Sequence, residues 1–305
     1  MKHFLDLHQF DKAALNGLIA TARAMKNKRT GWPKGKREPD EPLKGKMLAM
    51  IFERPSTRTR VSFEVGMRQL GGDVIMLSMA EMQLGRAESV ADTARVMSRY
   101  VDAIMIRAAK HDTLMDLAEH ATVPVINGLT SETHPCQIMA DVMTLEERKG
   151  PLAGLKVAWT GDGNNVAASW IHAVGVLGGE LVIACPEQLE PQPRFTAWAA
   201  QRHANVRVTR DPIEAVANAD CVITDAWVSM HNTDEGRRHN LLKSYQVNTR
   251  LMAHAKPDAV FLHCLPAHRN EEVTDEVMDG PNSAVFEEAE NRLHVQKAIL
   301  LHCLG

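Results

Sequence analysis

Two hydroxyl side chains stand beside two alternating arginines in the short segment 53–67, whose sequence is ERPSTRTRVSFEVGM. The hydroxyls belong to Ser56 and Thr57, and the arginines are Arg58 and Arg60. A guanidinium group can bind two oxygens of one anion, and short hydroxyl side chains add further donors. The segment therefore predicts a site for an anion such as phosphate. A glycine-rich nucleotide loop is not indicated, because the turn holds neither glycine nor lysine.

The flanking residues place this segment between a strand and a helix. The run MLAMIF at 47–52 is continuously apolar, as expected of a parallel strand that is buried on both faces. Phe63 and Met67 then follow four residues apart, which is helical spacing. The N-terminus of a helix has free N–H groups and favours anions. The alternative is an N-capped helix with solvent-exposed arginines, but capping explains Ser56 or Thr57 and neither arginine.

Further polar side chains follow other predicted strands. In open α/β sheets, ligands bind beyond the carboxyl ends of the strands. Arg107 follows the strand-like run at 102–106 and would add a second cation to the anion site, with a surface arginine as the alternative. Pro135 is typical of a first helical turn, which places His134 at the cap position and Gln137 one turn further on. Both are candidates for ligand contact, and a purely structural histidine is the alternative for His134.

A turn with two glycines follows the strand predicted at 155–160. Its sequence, Gly161-Asp162-Gly163-Asn164-Asn165, resembles part of a dinucleotide-binding fingerprint. The fingerprint is incomplete because Val166 occupies the place of the third glycine. Glu187 lies roughly where a ribose-binding acid belongs, which keeps an NAD-dependent dehydrogenase open as the rival function. A turn glycine with an amide side chain for a small polar ligand explains the segment equally well.

Two more polar groups end strands in the second half of the chain. Asp225 follows the strand predicted at 220–224 and would pair with an amine, or else cap a turn. The segment 231–240 is strongly polar with one glycine, which predicts a loop that closes over a ligand. His263-Cys264-Leu265-Pro266 ends another strand, where Cys264 is either a functional thiol or a small core residue.

Composition narrows the class of protein. The chain has 305 residues, 45% of them hydrophobic, which suits two domains of ordinary size. Its net charge of −3 predicts no affinity for nucleic acid or an acidic membrane surface. Five widely spaced cysteines without a CxxC pair indicate free thiols in a reducing compartment and no zinc ribbon. No secretory or membrane-spanning segment is recognised, so the cytoplasm is the expected location.

Strand-like and helical patterns alternate along the chain, which predicts an α/β fold of two doubly wound parallel-sheet domains joined by helices. Strands are predicted near 47–52, 74–77, 102–106, 123–126, 155–160, 180–185, 206–209, 220–224 and 259–263. Helices are predicted near 57–70, 88–100, 111–120 and 135–148. The segment KGPLAG at 149–154 indicates a boundary. We therefore predict domains at 1–149 and 150–286, with a closing helix in 287–305 that packs back on the first.

Taken together, four motifs resemble the signature set of the ornithine carbamoyltransferase family. They are Ser56-Thr57-Arg58-Thr59-Arg60, His134-Pro135-Cys136-Gln137, Asp225 with Ser229-Met230, and His263-Cys264-Leu265-Pro266. The resemblance extends from 43 to 297 with the order and spacing of the motifs intact. Two departures are His231, where the family usually has glycine, and a basic segment around Trp32 that is longer than expected.

The second half of the chain distinguishes between acceptors within the broader group. Aspartate carbamoyltransferases resemble the first motif but carry a lysine in the loop after the second strand and a proline in place of the cysteine. Here the loop at 80–86, AEMQLGR, has no lysine, and Cys264 is present. Relatives that use putrescine lack the arrangement of Asp225 with Ser229-Met230. The resemblance therefore implies L-ornithine as the acceptor.

The resemblance also implies a reaction and a role for each site residue. The carbamoyl group of carbamoyl phosphate would pass to the δ-amine of L-ornithine, giving L-citrulline and phosphate, a step of arginine biosynthesis. The phosphate would be bound by Ser56, Thr57, Arg58, Thr59, Arg107 and, from a neighbouring subunit of a homotrimer, Gln83. The carbamoyl carbonyl would be polarised by Thr59, Arg107 and His134, and Arg292 would contact the carbamoyl group or the phosphate. Gln137 and the backbone near Cys264 and Leu265 would hold the carbamoyl nitrogen.

On the acceptor side, Asn165, Asp225, Ser229 and Met230 would orient ornithine, with Asp225 taking its α-ammonium. The δ-amine must lose a proton before it attacks, because an ammonium group has no lone pair. Asp225 and Cys264 would favour the neutral amine, and the departing phosphate is one candidate for the proton acceptor. The scheme needs no metal and no organic cofactor. The physiological direction of the reaction stays open.

Overall fold

The computed structural model describes residues 2–80, 82, 88–228 and 235–305. The chain divides into two compact units. The first comprises Met1–Gln9, Ala13–Cys136 and Asn291–Gly305, and the second comprises Phe10–Lys12 and Gln137–Glu290. The domain limits predicted above stay a prediction.

The first unit contains a four-stranded sheet in which all paired strands are parallel. Its strands are β1 (Met47–Phe52), β2 (Asp73–Ser78), β3 (Ala103–Arg107) and β4 (Val125–Leu129). Their spatial order is β2-β1-β3-β4. The central strands β1 and β3 are almost entirely buried, which explains why their sequences are continuously apolar. The prediction of a parallel sheet in this half of the chain is confirmed.

Four helices occur among the described residues in this part of the chain. They are α1 (Lys12–Lys28), α2 (Thr57–Gln69), α3 (Val90–Met97) and α4 (His111–His120). Phe63 and Met67, the residues that predicted the helical stripe, are both fully buried on α2. Because α2 follows β1 after only four residues, its first turn lies at the carboxyl end of the sheet.

The second unit contains a five-stranded sheet, also parallel throughout its described pairings. Its strands are β5 (Lys156–Thr160), β6 (Glu180–Ala184), β7 (Asn205–Thr209), β8 (Cys221–Ile223) and β9 (Val260–Leu262). The spatial order β7-β6-β5-β8-β9 reverses direction at β5, as in a doubly wound sheet. All five strands lie where the sequence predicted strands, so the predicted fold class is confirmed.

The remaining helices run from α5 to α12. They are α5 (Pro135–Lys149), α6 (Asn165–Leu177), α7 (Pro193–Gln201), α8 (Pro212–Val216), α9 (Glu235–Leu242), α10 (Thr249–Met252), α11 (Asp275–Met278) and α12 (Val285–Leu304). Helices α5 and α12 each contribute residues to both units, since the unit boundaries fall within them. A helix is present where the closing helix was predicted, as α12, and its packing on the first predicted domain stays a prediction.

One prediction about local structure was wrong. The segment 231–240 was expected to be a loop, but its described part from 235 onward belongs to α9. Leu242 of this helix is fully buried, and the buried Arg238 side chain donates from Nε to the Trp227 carbonyl over 2.6 Å. Arg238 thus occupies a buried helix position that is usually apolar. Because it is charged, the sequence of α9 does not show the apolar spacing that predicts a helix.

Within the first unit, α12 is held by a buried ion pair. Lys297 is fully buried, and its Nζ donates to Glu38 Oε1 over 2.5 Å. Arg29 donates from Nη1 to the same oxygen over 3.1 Å. Glu38 lies in the basic segment around Trp32, so this segment contacts the C-terminal helix. Across the described residues, no helix combines the length and apolar character that crossing a membrane requires.

Candidate functional site

The anion segment forms the first turn of α2, and Ser56 occupies its N-cap position. The Ser56 side chain makes no capping hydrogen bond to the helix. Its Oγ instead accepts a hydrogen bond from Arg107 Nη1 over 2.9 Å. Capping therefore does not explain this hydroxyl. The segment and the end of β3 meet at one place, as expected for the carboxyl ends of neighbouring parallel strands.

Thr59 is the central hydroxyl of this set and is fully buried. Its Oγ1 lies 3.2 Å from Nη1 of Arg107 and 2.9 Å from Nη2 of Arg292. A guanidinium has only donors, so the threonine oxygen accepts both bonds. The hydroxyl proton of Thr59 then remains to be donated. Two arginines and a hydroxyl donor thus converge in the first unit, and Arg292 reaches this set from α12.

His134 is buried and immediately precedes α5. Burial, followed by the positive charges of Arg292 and Arg107, holds the pKa of its imidazole well below the ordinary value. The ring is therefore neutral near pH 7 and can donate one hydrogen bond without carrying a charge. A neutral imidazole suits this place, because a charged one would be repelled by Arg292 and Arg107.

The other predicted residues of the first unit fall at the start of α2. Thr57 is its first residue and is exposed, and the half-buried Arg58 follows it. Arg60 is exposed on the same helix. The phosphate roles of Thr57 and Arg58 remain predictions, and no role is assigned to Arg60. Gln83 lies outside the described residues.

In the second unit, Asp225 is held by three hydrogen bonds. Its Oδ1 accepts from the Cys264 thiol over 3.1 Å and from the Ala226 amide over 2.8 Å. Its Oδ2 accepts from Asn164 Nδ2 over 2.7 Å. The predicted pair Asp225 and Cys264 thus comes together, and the carboxylate has a fixed orientation. Asn164 is a functional candidate that sequence reasoning missed.

Asn164 has two tasks at the start of α6. Its Oδ1 accepts from the amides of Val166 and Ala167 over 2.9 and 3.2 Å, which caps the helix. Because the oxygen is bound there, the Nδ2 group faces Asp225. Asparagine is a typical cap residue, which is the only signal that the sequence offers for Asn164, and its bond to the carboxylate gives it a further role. Asn165, the predicted ornithine ligand, is the first residue of that helix.

The Cys264 thiol is a neutral hydrogen-bond donor. Burial, reinforced by the negative charge of Asp225 and then of Glu288, raises the pKa of this thiol well above the ordinary value. Asp225, His263 and Cys264 each offer a ligand atom, with all these atoms within 4.8 Å of one another. Metal binding requires a thiolate, however, and the raised pKa opposes its formation. The group is better described as a hydrogen-bonded support for the carboxylate.

The turn after β9 is organised around His263. The Leu265 amide donates to His263 Nδ1 over 2.9 Å, so Nδ1 is the accepting nitrogen and Nε2 carries the proton. That Nε2 lies 3.2 Å from Glu272 Oε1. Leu265 has a φ of +58°, a left-handed conformation that is costly for a leucine. Such local strain is typical of functional turns and is compatible with a ligand contact through the Leu265 carbonyl.

Gln137 is fully buried on α5, and its Nε2 lies 2.7 Å from Asp141 Oδ1 and 2.7 Å from Glu288 Oε1. Neither carboxylate was identified from the sequence. The spacing of four residues, one helical turn, could have identified Asp141 as a partner of Gln137. Glu288 lies 151 positions away, so no spacing in the sequence indicates it. Ser229, Met230 and His231 lie outside the described residues.

The turn at 161–165 is not free to bind a dinucleotide in the usual way. The Gly163 amide donates to the Leu189 carbonyl over 2.7 Å, so it is not available to a pyrophosphate. A Cβ atom at Gly163 would lie 2.3 Å from the Pro191 nitrogen. The glycine therefore serves close packing against the protein's own backbone. This observation weakens the dehydrogenase interpretation.

Comparison with known proteins agrees with the resemblance seen in the motifs. Residues 2–147 match the carbamoyl-P binding domain of the aspartate/ornithine carbamoyltransferases, and residues 153–303 match their Asp/Orn binding domain. The ornithine carbamoyltransferase of Cereibacter sphaeroides is 60% identical over the full length of both chains, and that of Paracoccus denitrificans is 58% identical, also over the full length of both.

Solved structures give the same result. The ornithine carbamoyltransferase of Pyrococcus furiosus superimposes with a TM-score of 0.94 at 48% identity, covering 100% of this chain and 97% of that one. The enzyme of Thermus thermophilus gives a TM-score of 0.90 at 41% identity, covering 100% and 99%. The chain belongs to the aspartate/ornithine carbamoyltransferase family.

Proposed function

We propose that the protein is an ornithine carbamoyltransferase, which transfers the carbamoyl group of carbamoyl phosphate to the δ-amine of L-ornithine and releases L-citrulline and phosphate. The observation that carries this proposal is the similarity over the full length to proteins named for that activity. The geometry of each unit supports it, since one unit offers fixed cationic donors and the other an oriented carboxylate. The reaction is a step of arginine biosynthesis.

The leaving phosphate is assigned to the donors at the start of α2. Arg107 is already fixed by Ser56 and Thr59, so its charge needs little rearrangement when phosphate binds. Arg58 and Thr57 stand in the same first turn, next to the free N–H groups of the helix. Fixed donors of this kind stabilise the developing charge of a leaving phosphate.

Polarisation of the carbamoyl carbonyl is assigned to Thr59, His134 and Arg107. Thr59 accepts from two arginines, and its remaining proton is therefore a polarised donor. His134 is neutral and adds a second donor without repelling Arg107 and Arg292. One donor placed on a developing oxyanion lowers the barrier by about 3 kcal/mol. Arg292 is assigned to the same group, because it bonds to Thr59.

Binding of ornithine is assigned to Asp225 in the second unit, which takes the α-ammonium. Cys264 and Asn164 hold its two oxygens, which leaves the carboxylate pre-oriented for a cation. A substrate that carries a carboxylate at this place would be repelled, which gives selectivity against aspartate. Asn165, Ser229 and Met230 are proposed to orient the rest of the amino acid. The neutral δ-amine then attacks the carbamoyl carbon, and the departing phosphate is proposed to accept its proton.

Assembly as a homotrimer is proposed, with Gln83 contributed to the site of a neighbouring subunit. Exposed apolar side chains in the first unit support an interface there. Ile75 and Met76 of the edge strand β2 are 41% and 40% exposed, and Tyr100 is 72% exposed. Sedimentation of the active enzyme measures the assembly. All five cysteines are free thiols, which supports the cytoplasm as the proposed location.

A substrate panel tests the proposed function. Incubation with carbamoyl phosphate and L-ornithine is expected to yield L-citrulline, whereas L-aspartate and putrescine are expected to give little carbamoylated product. Binding of NAD in the absence of citrulline formation would favour the dehydrogenase. Binding of phosphate without any transfer would favour a non-catalytic phosphate-binding module.

A further inference from the structure

A buried polar network surrounds the side-chain amide of Gln137 in the second unit. Gln137 is fully buried, and Asp141 and Glu288 are each 1% exposed. The amide nitrogen of Gln137 lies 2.7 Å from Oδ1 of Asp141 and 2.7 Å from Oε1 of Glu288. Both N–H groups of the amide are therefore donated to carboxylate oxygens.

The other oxygens of the two carboxylates are occupied as well. Asp141 Oδ2 accepts from the indole Nε1 of Trp170 over 3.2 Å. Glu288 Oε2 accepts from the backbone amide of His263 over 3.0 Å, directly before Cys264. Each of the four carboxylate oxygens thus accepts a hydrogen bond. The carboxylates are fixed in place by α6, by the end of β9 and by the amide they hold.

Within the described residues, the oxygen of the same amide, Oε1 of Gln137, is buried without a hydrogen-bond partner. Buried acceptors are normally satisfied, and leaving one unpaired is costly. The ionised carboxylates fix the orientation of the amide, because turning it over would place its oxygen about 2.7 Å from two oxygens that accept and do not donate. The network therefore leaves Oε1 of Gln137, an acceptor, for the ligand of this side chain.

From this geometry we infer that Asp141 and Glu288 are positioning residues that force Gln137 to present its carbonyl oxygen to the carbamoyl amine of the substrate. The inference rests on the proposed function, in which Gln137 holds the carbamoyl nitrogen. It adds a source of substrate selectivity. A ligand with an amine at this place donates to Oε1, whereas a ligand with a methyl group leaves Oε1 unpaired.

Two stable ligands that differ only at this group test the inference. Phosphonoacetamide carries the amide NH2, and acetonylphosphonate carries a methyl group in its place. The dissociation constants of both are measured by calorimetry on the full-length protein, so the readout does not depend on turnover. We expect wild-type protein to bind phosphonoacetamide about tenfold more tightly. A wild-type ratio near one would refute the inference by itself, whatever the variants do.

The variants Asp141→Asn and Glu288→Gln replace an oxygen that only accepts by an amide that also donates. Gln137 can then turn over and place its NH2 against the amine of the ligand, opposed by one remaining carboxylate in each single variant and by none in the double variant. We expect the ratio of the two dissociation constants to fall in each variant and to approach about one in the double variant. Equal weakening of both ligands, with the wild-type ratio preserved, would show a merely structural role and would overturn the inference.

Thr144→Val is the matched control. Thr144 is buried on the same helix, and its Oγ1 donates to the Ala140 carbonyl over 2.7 Å. Its loss should lower the stability of α5 but leave the ratio unchanged. Citrulline formation by wild-type protein is measured in parallel. Its absence would remove the proposed function, whereas citrulline formation with a ratio near one would refute only the inference.

Discussion

The guanidinium of Arg292 donates from Nη2 to the hydroxyl of Thr59 over 2.9 Å, although the two residues lie 233 positions apart in the chain. The C-terminal helix thereby reaches the first turn of α2, where Arg107 bonds to the same oxygen. A hydroxyl that accepts from two cations is a stronger donor than an isolated one, because its electron density is drawn toward them. This relationship supports the proposed role of Thr59 as a donor to the carbamoyl carbonyl.

Thr59→Val should lower kcat by about 100-fold, because it removes the donor assigned to the carbamoyl carbonyl. Thr59→Ser keeps the hydroxyl and should retain most of the activity. Steady-state citrulline formation compares the two variants, and thermal unfolding checks that both are folded. Similar activity of the valine and serine variants would contradict the role of the hydroxyl.

Arg58→Ala should nearly abolish turnover while the fold is kept. Arg58 is only half-buried in the first turn of α2, so its loss leaves no large cavity. The missing charge would remove one of the donors proposed for the leaving phosphate. Citrulline formation and the urea midpoint measure the two effects separately, and Arg60→Ala is the control on the same helix. Normal activity of the Arg58 variant would count against the phosphate assignment.

Asp225→Asn should impair the use of ornithine far more than the binding of carbamoyl phosphate. The amide keeps the shape of the carboxylate but loses the charge that would pair with the α-ammonium. We expect kcat/KM for ornithine to fall by at least about 30-fold. The KM for carbamoyl phosphate should change by less than about threefold. Equal damage to both parameters would contradict the separation of the two substrates between Asp225 and the arginines.

Cys264→Ser should retain most of the activity, and Cys264→Ala should lose about tenfold. The pKa of the thiol is raised well above its ordinary value by burial and by the carboxylates of Asp225 and Glu288, so the thiol acts as a neutral donor. Serine preserves that donor, whereas alanine leaves Asp225 with one partner fewer. Steady-state kinetics with varied ornithine measures the difference. An inactive serine variant would indicate that sulfur chemistry is needed.

His294 should make the stability of the protein depend on pH in the mildly acidic range. Burial, reinforced by the charges of Lys297, Lys26, Arg29 and Lys34, lowers the pKa of this imidazole from 6.5 to about 3. The unfolded chain therefore binds a proton that the native state does not. Stability is fully present above pH 6.5 and is lost as the pH falls from there toward 3.

Urea unfolding measures this effect. Between about pH 7 and about pH 5.5, His294→Gln should lose about 1 kcal/mol less unfolding free energy than wild-type protein. His254→Gln removes an exposed histidine and should follow the wild-type curve. Identical pH dependence of His294→Gln and wild-type protein would show that His294 is not buried in its neutral form.

The secondary structure of the sheets could be predicted because parallel strands buried on both faces require continuous apolar runs. The run at 47–52 became β1, and the predicted helical stripe on Phe63 and Met67 became the buried face of α2. Helix α9 was missed for the opposite reason. Its buried Arg238 donates to the backbone carbonyl of Trp227, a residue 11 positions away. The apolar spacing within the helix does not indicate such a partner.

The sequence by itself determined the fold class and the chemical character of the strand ends, because apolar periodicity and residue type are local properties. It placed arginines and hydroxyls at the end of one sheet and an aspartate and a cysteine at the end of another. Only the tertiary structure decided how these groups are oriented. The bonds from Asn164 to Asp225, from Gln137 to Glu288 and from Arg292 to Thr59 join residues 61, 151 and 233 positions apart. Such contacts depend on how whole elements pack, which sequence spacing does not encode.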